Sequence, residues 1–235
     1  MRNFKTLGLA LVAALAMSAV VASAAQAGPA AITVEGGGTA ILTGKQEAGT
    51  NTTFTRQGRT VTCHSESLEA TVSNKATTAT VTPKYSNCTS SLGPATVTMN
   101  SCDYIFHLEG DATGGEDTWT ATADLDCTTP GDKAYIHVYS STTNHTNNVV
   151  LCTYEFEEQP GLGTIELTNK SADATTPKDW ITADIEVEGI DSKRTAGSTL
   201  ICGSENDTAG TLDGVAEIKG ENHVSAALGI TVSTH

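Results

Sequence analysis

The sequence predicts an all-β protein made of antiparallel β-sandwich units that are stapled by disulfides. Three observations carry this prediction. Apolar and polar residues alternate along several short segments, turn-forming residues separate these segments, and six cysteines follow an N-terminal leader. Many short strands with regular turns are typical of an antiparallel sandwich or barrel. After the leader, no apolar repeat has the period of a helix.

The leader has the three parts of a signal peptide. Met1 to Lys5 form a short basic head, Leu7 to Val21 are apolar and rich in Ala, and Ala25-Gln26-Ala27 is a small-x-small cleavage site. We therefore expect residues 1–27 to be a cleaved signal peptide. The apolar run is shorter than the roughly 18 residues of a membrane-spanning helix, so no membrane insertion is expected after cleavage. The mature chain is expected to be secreted, or held at the cell-envelope surface by non-covalent contacts.

The composition limits the classes of partner. The net charge of −14 argues against nucleic acid or an anionic membrane, because binding to phosphate groups needs clustered Lys and Arg. An acidic surface also keeps an exported protein soluble. Aromatic residues make up 5% of the chain, so the core must rely on Val, Ile, Leu and Ala, and disulfides gain importance.

The cysteines are most simply interpreted as three disulfides formed in an oxidising compartment. They are Cys63, Cys88, Cys102, Cys127, Cys152 and Cys202. Positions 63 and 88, 102 and 127, and 127 and 152 are each 25 residues apart, and 152 and 202 are 50 apart. We favour pairing 63 with 88, 102 with 127 and 152 with 202, because each pair then closes a loop within one strand-rich unit. Sequence alone does not exclude the other pairings.

Two segments show the strand pattern most clearly. From Trp119 to Cys127 the apolar residues have odd numbers and the polar ones even numbers, which is the period of a half-buried strand. The same alternation from Ile181 to Val187 puts the apolar side chains on one face of a second strand. Further strands are expected at Thr39–Thr43, Arg59–Cys63, Leu68–Ser73, Thr78–Thr82, Ala95–Met99, Ala134–Tyr139, Gly163–Thr168 and Leu212–Lys219. Together they favour a sandwich of immunoglobulin-like or similar type.

Two stretches of the chain are similar to each other. The phrase Cys-x-Tyr-x-Phe begins at Cys102 and again at Cys152, and each copy is followed by a Trp that leads a strand with TADLD or TADIE. This pattern predicts two diverged copies of one β unit, although chance similarity between Thr-rich strands is the alternative. Tyr154 and Phe156 are then expected to face inward as core residues, and a surface on which a ligand stacks is the alternative.

The expected organisation follows from these copies. We expect an N-terminal β unit at residues 28–100 and a C-terminal β region at 101–235, made of two related units at about 101–151 and 152–235. Because Cys88 and Cys102 leave only 13 residues between them, the units are close enough to share sheets.

Part of the chain resembles a known group of proteins. The runs from Val81 to Cys88 and from Ala95 to Leu108 resemble a phrase that recurs in uncharacterised secreted proteins of soil actinobacteria. The resemblance continues through Cys152 to Asn169, with the phrase PGLGTIELTN, and through Asp184–Gly189 and Cys202-Gly203. The resemblance implies a secreted, Thr-rich, cysteine-containing β protein. It implies no activity, so no functional residue can be assigned from it.

Metal and cofactor motifs are weak in this sequence. A zinc site is disfavoured because no Cys-x-x-Cys pair occurs and because Cys63 and His64 are adjacent. A calcium site is the one cofactor hypothesis that the sequence leaves open, because Asp111 to Asp117 form an acidic, Gly-bearing loop with oxygen ligands. That loop departs from the EF-hand pattern, and a solvated hairpin turn is its alternative interpretation. No cofactor is therefore expected.

No constellation typical of an enzyme is found in the sequence. Gly-x-Ser-x-Gly, His-Glu-x-x-His, P-loop and dinucleotide patterns do not occur, and the histidines are scattered singly. We therefore expect no catalytic residue and interpret the cysteines as structural positions. The preferred function is a secreted, non-catalytic β protein with a structural or adhesive role. Its exposed Thr and Ser strand faces and its loops are available for binding a glycan or a protein, but the sequence does not identify the partner. The alternative is an extracellular hydrolase that uses a carboxylate pair, such as Glu157 with Glu158 or Asp124 with Asp126.

Overall fold

The computed structural model describes residues 29–111, 117–140, 149–171, 179–222 and 227–234. The expected signal peptide, residues 1–27, lies outside the described residues. Residues 112–116, which form most of the acidic loop considered for calcium, lie outside them as well.

Antiparallel strands make up most of the described chain, so the all-β class expected from the sequence is confirmed. The strands are β1 (Ala30–Val34), β2 (Thr39–Gln46), β3 (Thr52–Arg56), β4 (Arg59–Ser73), β5 (Thr78–Ser90), β6 (Gly93–Thr98), β7 (Cys102–Asp111), β8 (Thr118–Cys127), β9 (Ala134–Tyr139), β10 (Val150–Phe156), β11 (Gly163–Lys170), β12 (Trp180–Ala196), β13 (Asn206–Glu221), β14 (Ala227–Leu228) and β15 (Ile230–Thr234). One helical turn, α1 (Thr199–Cys202), lies between β12 and β13. Within the described ranges, no helix is long and apolar enough to cross a membrane.

Four strands are much longer than the sequence pattern indicates. β4 has 15 residues, β5 has 13, β12 has 17 and β13 has 16. The two strands expected at Arg59–Cys63 and Leu68–Ser73 are both parts of β4. The buried positions of β4 change from odd to even numbers between Cys63 and Glu66, so no single period spans the whole strand. The alternation predicted for β8 and the first half of β12 is confirmed, with the apolar residues buried in both.

The strand pairing closes two rings of eight antiparallel strands that share the four long strands. The first ring runs β2-β4-β5-β7-β8-β11-β12-β13 and returns to β2. The second ring runs β3-β4-β5-β6-β9-β10-β12-β13 and returns to β3. Because this pairing is continuous, it does not divide the strands into two separate facing sheets. The immunoglobulin-like sandwich is therefore not confirmed and stays a prediction.

The three disulfides join Cys63 to Cys88, Cys102 to Cys127 and Cys152 to Cys202, which are the pairs favoured from the sequence. The first two link residues directly opposite each other on neighbouring strands, with α-carbons 3.9 Å apart. The third joins β10 to the end of α1, with α-carbons 5.7 Å apart. Only this third bridge therefore ties a segment outside the strands to the rings.

The first ring is filled by a packed apolar core, and β1 and β15 cover it. Among the described strands, these two pair with each other, and Ile32 of β1 also forms a β-bridge with Ala76. Their side chains, including Ile32 and Val232, join that core. Buried Asn169 in β11 binds the backbone of β15. Its Nδ2 donates to the Val232 carbonyl (2.8 Å), and its Oδ1 accepts from the Val232 N–H (2.7 Å).

Strands that belong to different expected units pair with one another. β2 pairs with β13, β5 with β7 and β6 with β9, and each of these pairs crosses the expected boundary near residue 100. The domain boundaries and the duplication stay predictions, but each ring draws strands from both sides of residue 100.

Candidate ligand-binding site

The second ring encloses a cavity of about 390 Å³. Seven of its eight strands, all except β6, contribute residues to the wall. The apolar part of the wall consists of Phe54, Val61, Leu92, Ile136, Val138, Phe156, Ile190 and Ile201. Gly58 and Thr60, at the β3–β4 turn, line the cavity and are exposed, so the cavity opens to solvent there. Small-molecule sites typically have about 300–1,000 Å³, and this cavity lies within that range.

The interior of the first ring around Glu66 is far less open. The space around Glu66 is about 10 Å³, which is room for about one water. The large rings of Tyr85, Tyr104 and Phe106 fill this interior. In the second ring, by contrast, the wall includes small residues such as Gly210, Thr211 and Ser192. The difference in side-chain volume leaves one ring filled and the other hollow.

Tyr154 and Phe156 of β10 face the cavity of the second ring. Tyr154 is buried in the core cluster of this ring, and Phe156 packs against the same cluster. Tyr104 and Phe106 of β7, the corresponding pair in the sequence, line the small cavity of the first ring. The inward orientation expected from the sequence is therefore observed for both pairs. In the second ring, these core aromatics also form part of an open wall.

Arg56, at the end of β3, is a buried cation that is 5% exposed. Its guanidinium donates to one hydroxyl and three carbonyl oxygens: Ser192 Oγ (2.8 Å), Cys202 O (3.3 Å), Ser204 O (2.8 Å) and Glu205 O (2.9 Å). Burial lowers the pKa of Arg56, because the charged form loses hydration. The guanidinium nevertheless stays charged, since arginine does not deprotonate in proteins.

Two more arginines bind the segment that carries α1, residues 197–205, which we call the clamped segment. Arg59 Nε donates to the Ile201 carbonyl (2.6 Å). Arg194 Nε donates to the Gly203 carbonyl (2.9 Å), and its Nη2 donates to the Thr199 hydroxyl (3.1 Å). Arginine suits this role because its planar fork offers several N–H donors in a fixed geometry. All the arginines that follow the leader therefore converge on one segment: Arg56, Arg59 and Arg194.

The clamped segment lies against β10 beside the third disulfide. Gly197 has a φ of 97°, and a Cβ there would collide with the Leu151 carbonyl and the Cys202 sulfur, so only glycine fits. The Ser198 hydroxyl caps α1 by accepting from the Ile201 N–H (3.3 Å). Ile201 lines the cavity and is 44% exposed, and its neighbour Leu200 is 91% exposed. The clamped segment thus presents an apolar edge at the cavity.

The charge of the cavity wall is opposite to that of the chain. Among the described residues, the wall includes Arg56 and Arg59 but no Asp or Glu, although the chain has 27 acidic and 13 basic residues. The ion pairs between described residues are made by lysines and His107, so carboxylates do not neutralise these arginines by direct contact. Asp207 acts on Arg56 at longer range. The cavity is therefore a positive site in an acidic protein.

The carboxylates near this region lie in a separate groove of about 290 Å³. Its acidic residues are Glu155, Glu157, Glu158, Asp191 and Asp207. Lys133 pairs with Glu157 (2.7 Å) at this surface, and the pKa of Glu157 is lowered by that lysine. The pKa of Asp124 is also lowered, by a hydrogen bond from the Gly161 N–H (2.7 Å) and by His107. Both carboxyl groups are therefore ionised at neutral pH, whereas a general acid needs a raised pKa.

Glu66 of β4 is a buried carboxyl group, 4% exposed, inside the first ring. It accepts a hydrogen bond from the Thr52 hydroxyl, and the Tyr85 hydroxyl is also a hydrogen-bond partner. Burial raises the pKa of Glu66 because the carboxylate form loses hydration. Burial also raises the pKa of Tyr104 and of Tyr85, so both hydroxyls stay protonated at neutral pH. The small volume around these groups makes them polar elements of the core.

The histidines of the described chain have separate partners. His64 lies beside Asn51 (2.9 Å), His107 beside Asp124 (3.0 Å) and His137 beside Thr153 (3.1 Å). His145, His223 and His235 lie outside the described residues. Within the described ranges, no three His, Cys, Asp or Glu side chains form a group that could hold a metal ion. The calcium hypothesis concerns a loop that is mostly outside those ranges, so it stays a hypothesis.

The sequence analysis missed the three arginines of this site. The available signal was weak: Arg56 and Arg59 are close in sequence, and the other basic residues after the leader are lysines. Nothing local indicates that β12 brings Arg194 next to them. Comparisons with models of protein families, with curated proteins and with solved structures found no match for this chain. The geometry of the cavity therefore carries the functional argument alone.

Proposed function

We propose that the protein is an exported, non-catalytic binding protein whose ligand occupies the cavity of the second ring. The cavity is the observation that carries this proposal. It opens to solvent, has about 390 Å³, and combines aromatic and aliphatic walls with a few polar groups, as small-molecule sites do. Strand pairing around the whole ring holds the wall in place before a ligand arrives, which reduces the entropy lost on binding.

Export is consistent with the three disulfides, because such bridges form and persist in oxidising compartments. The structural or adhesive role expected from the sequence becomes, in this proposal, the capture of a small ligand. A glycan or a protein as partner stays a prediction for the outer strand faces.

The proposal is tested by titrating the mature protein with phenylnaphthylamine, a neutral apolar dye that becomes more fluorescent in apolar surroundings. Val61 is buried and lines the cavity, so Val61→Phe adds volume inside it. We expect this variant to bind the dye about tenfold more weakly, since the added ring displaces the dye. Thr62→Phe is the matched control, because Thr62 is next to Val61 in β4 but does not line the cavity. The control should bind like the unchanged protein.

A second variant covers the case in which Val61→Phe does not fold. Ile201 lines the cavity and is 44% exposed, so Ile201→Trp can narrow the opening without disturbing the core. Thermal unfolding of all variants identifies loss of fold. The proposal is wrong if the unchanged protein does not bind the dye, or if the folded Val61 and Ile201 variants bind it unchanged.

The extracellular hydrolase stays the alternative hypothesis. It needs two carboxyl groups that converge in a cleft, one of them with a raised pKa. Burial raises the pKa of Glu66, but no second carboxyl group lines its cavity among the described residues. Hydrolysis of a glycoside by the mature protein that is abolished in Glu66→Gln would favour this alternative over the binding function.

A further inference from the structure

We propose that the ligand is an amphiphile with an aliphatic chain and an anionic headgroup, with the chain inside the cavity and the headgroup at Arg59. This inference rests on the proposed binding function and specifies its ligand class. Three features carry it: the apolar interior, the unused donors of Arg59 at the opening, and the lack of acidic residues in the described wall.

The interior suits a short aliphatic chain. The inner wall is formed by branched aliphatic and aromatic side chains, including Val138, Ile136 and Phe156. A volume of about 390 Å³ lies within the range of small-molecule sites, so the cavity has room for a short aliphatic chain and for the larger phenylnaphthylamine dye. Burying such a chain is favourable in proportion to the apolar area removed from water.

Arg59 can receive the headgroup because its guanidinium has donors left. Its Nε is committed to the Ile201 carbonyl at 2.6 Å. Its Nη1 and Nη2 make only long contacts, to the Gln57 carbonyl (3.3 Å) and the Leu200 carbonyl (3.4 Å). Each Nη carries two N–H groups, so one on each nitrogen is free of these contacts. A carboxylate or phosphate oxygen accepts from such a fork in a charge-assisted hydrogen bond.

The charge of the surroundings favours an anion over a neutral or cationic headgroup. Arg56 lies deeper in the same wall, and its partners are a hydroxyl and carbonyl oxygens rather than carboxylates. Asp207 lines the separate acidic groove, so the headgroup would meet positive charge at the opening. An ammonium headgroup would be repelled by the same arginines.

The test compares three ligands that share one chain: octanoate, octanol and octylammonium. Each is titrated against phenylnaphthylamine bound to the mature protein at neutral pH and low salt. We expect octanoate to displace the dye at about tenfold lower concentration than octanol, and octylammonium to be the weakest. In Arg59→Gln the preference for octanoate over octanol should fall to about one, while octanol binding stays the same. Arg59→Lys keeps the charge and should keep part of the preference.

Lys84→Gln is the matched control, because it removes one positive charge from an exposed residue that does not line the cavity. It should leave the preference for octanoate unchanged.

Equal binding of octanoate and octanol to the unchanged protein overturns the anionic ligand class but leaves the binding function intact. An undiminished preference in folded Arg59→Gln overturns the role of Arg59. Failure of all three ligands and of the dye contradicts the binding function itself. If Arg59→Gln does not fold, the comparison of the three ligands on the unchanged protein still decides the charge preference.

Discussion

The Arg56 guanidinium lies over the ring of Tyr154, with its carbon 5.0 Å from the ring centroid, and both side chains donate to the carbonyl oxygen of Cys202. Cys202 is in turn bonded to Cys152, two residues before Tyr154 in β10. A cation above an aromatic face is stabilised by the negative charge density of the ring. This arrangement ties β3, β10 and the clamped segment to one another at the cavity wall.

Replacing Arg56 should destabilise the whole protein. Arg56→Gln leaves the carbonyl oxygens of Cys202, Ser204 and Glu205 without their charged donor in a buried site. We expect the free energy of unfolding in urea to fall by about 3 kcal/mol. Arg56→Lys keeps the charge but not the fork, and should recover less than half of that loss. A change of less than about 0.5 kcal/mol, the range typical of surface substitutions, would contradict the stabilising role of Arg56.

Glu66 should make stability depend on pH in a defined direction. Its folded pKa is raised above the usual value of 4.5. The folded state therefore holds a proton that the unfolded state has released, and stability falls as pH rises from the usual carboxyl pKa through the raised folded pKa. Glu66→Gln removes this loss, so the variant should gain stability relative to the unchanged protein as pH rises above the usual carboxyl pKa.

The measurement is urea unfolding of both proteins at several pH values. Glu69→Gln is the control, because Glu69 lies on the same strand but is exposed and pairs with Lys84. Its stability difference from the unchanged protein should not rise with pH. A Glu66→Gln difference that is constant with pH would show that the pKa of Glu66 is not raised.

The third disulfide should matter for binding as well as for stability. Replacing Cys152 and Cys202 by Ala removes a bridge with a sequence separation of 50 residues, for which loop-closure entropy gives a loss of at most about 4 kcal/mol. Because the bridge ties the clamped segment to β10, we expect weaker dye binding under conditions in which the variant is still folded. Replacing Cys102 and Cys127 by Ala is the matched comparison, since that pair lies in the first ring. The double replacement of Cys102 and Cys127 should lower the free energy of unfolding by at most about 3.5 kcal/mol and leave the dye affinity unchanged. Equal loss of binding in both variants would contradict this division between the rings.

Asn169 should hold β15 on the first ring. Asn169→Ala removes both side-chain hydrogen bonds to the Val232 backbone in a buried site. We expect a loss of about 2 kcal/mol in urea unfolding, together with faster amide hydrogen exchange in β15. Asn51→Ala, at an exposed position, should change stability by less than about 0.5 kcal/mol. Unchanged exchange at Val232 in Asn169→Ala would argue that packing alone holds this strand.

Local pattern was enough to predict the strand class and the faces of the clearest strands. The alternation along β8 is fixed by the pleat of a strand, which buries every second side chain, so Trp119 to Cys127 could be read correctly without any partner strand. The favoured disulfide pairs could be inferred from local sequence for a similar reason. Cys63 and Cys88, for example, lie opposite each other on two strands that follow each other in the chain. The single turn of α1 was missed because four residues carry no helical period.

Tertiary structure alone decided where the strands meet and which interior stays hollow. Arg56 and Glu205 are 149 positions apart in the chain, and they meet only because β3, β12 and β13 close the second ring. No local pattern encodes such a meeting, since it depends on the register of several strand pairs at once. The sequence by itself determined the β class and the faces of the clearest strands, and it favoured one pairing of the cysteines without excluding the others. The cavity and its arginines were decided by ring closure, because only closure brings side chains from seven strands around one space.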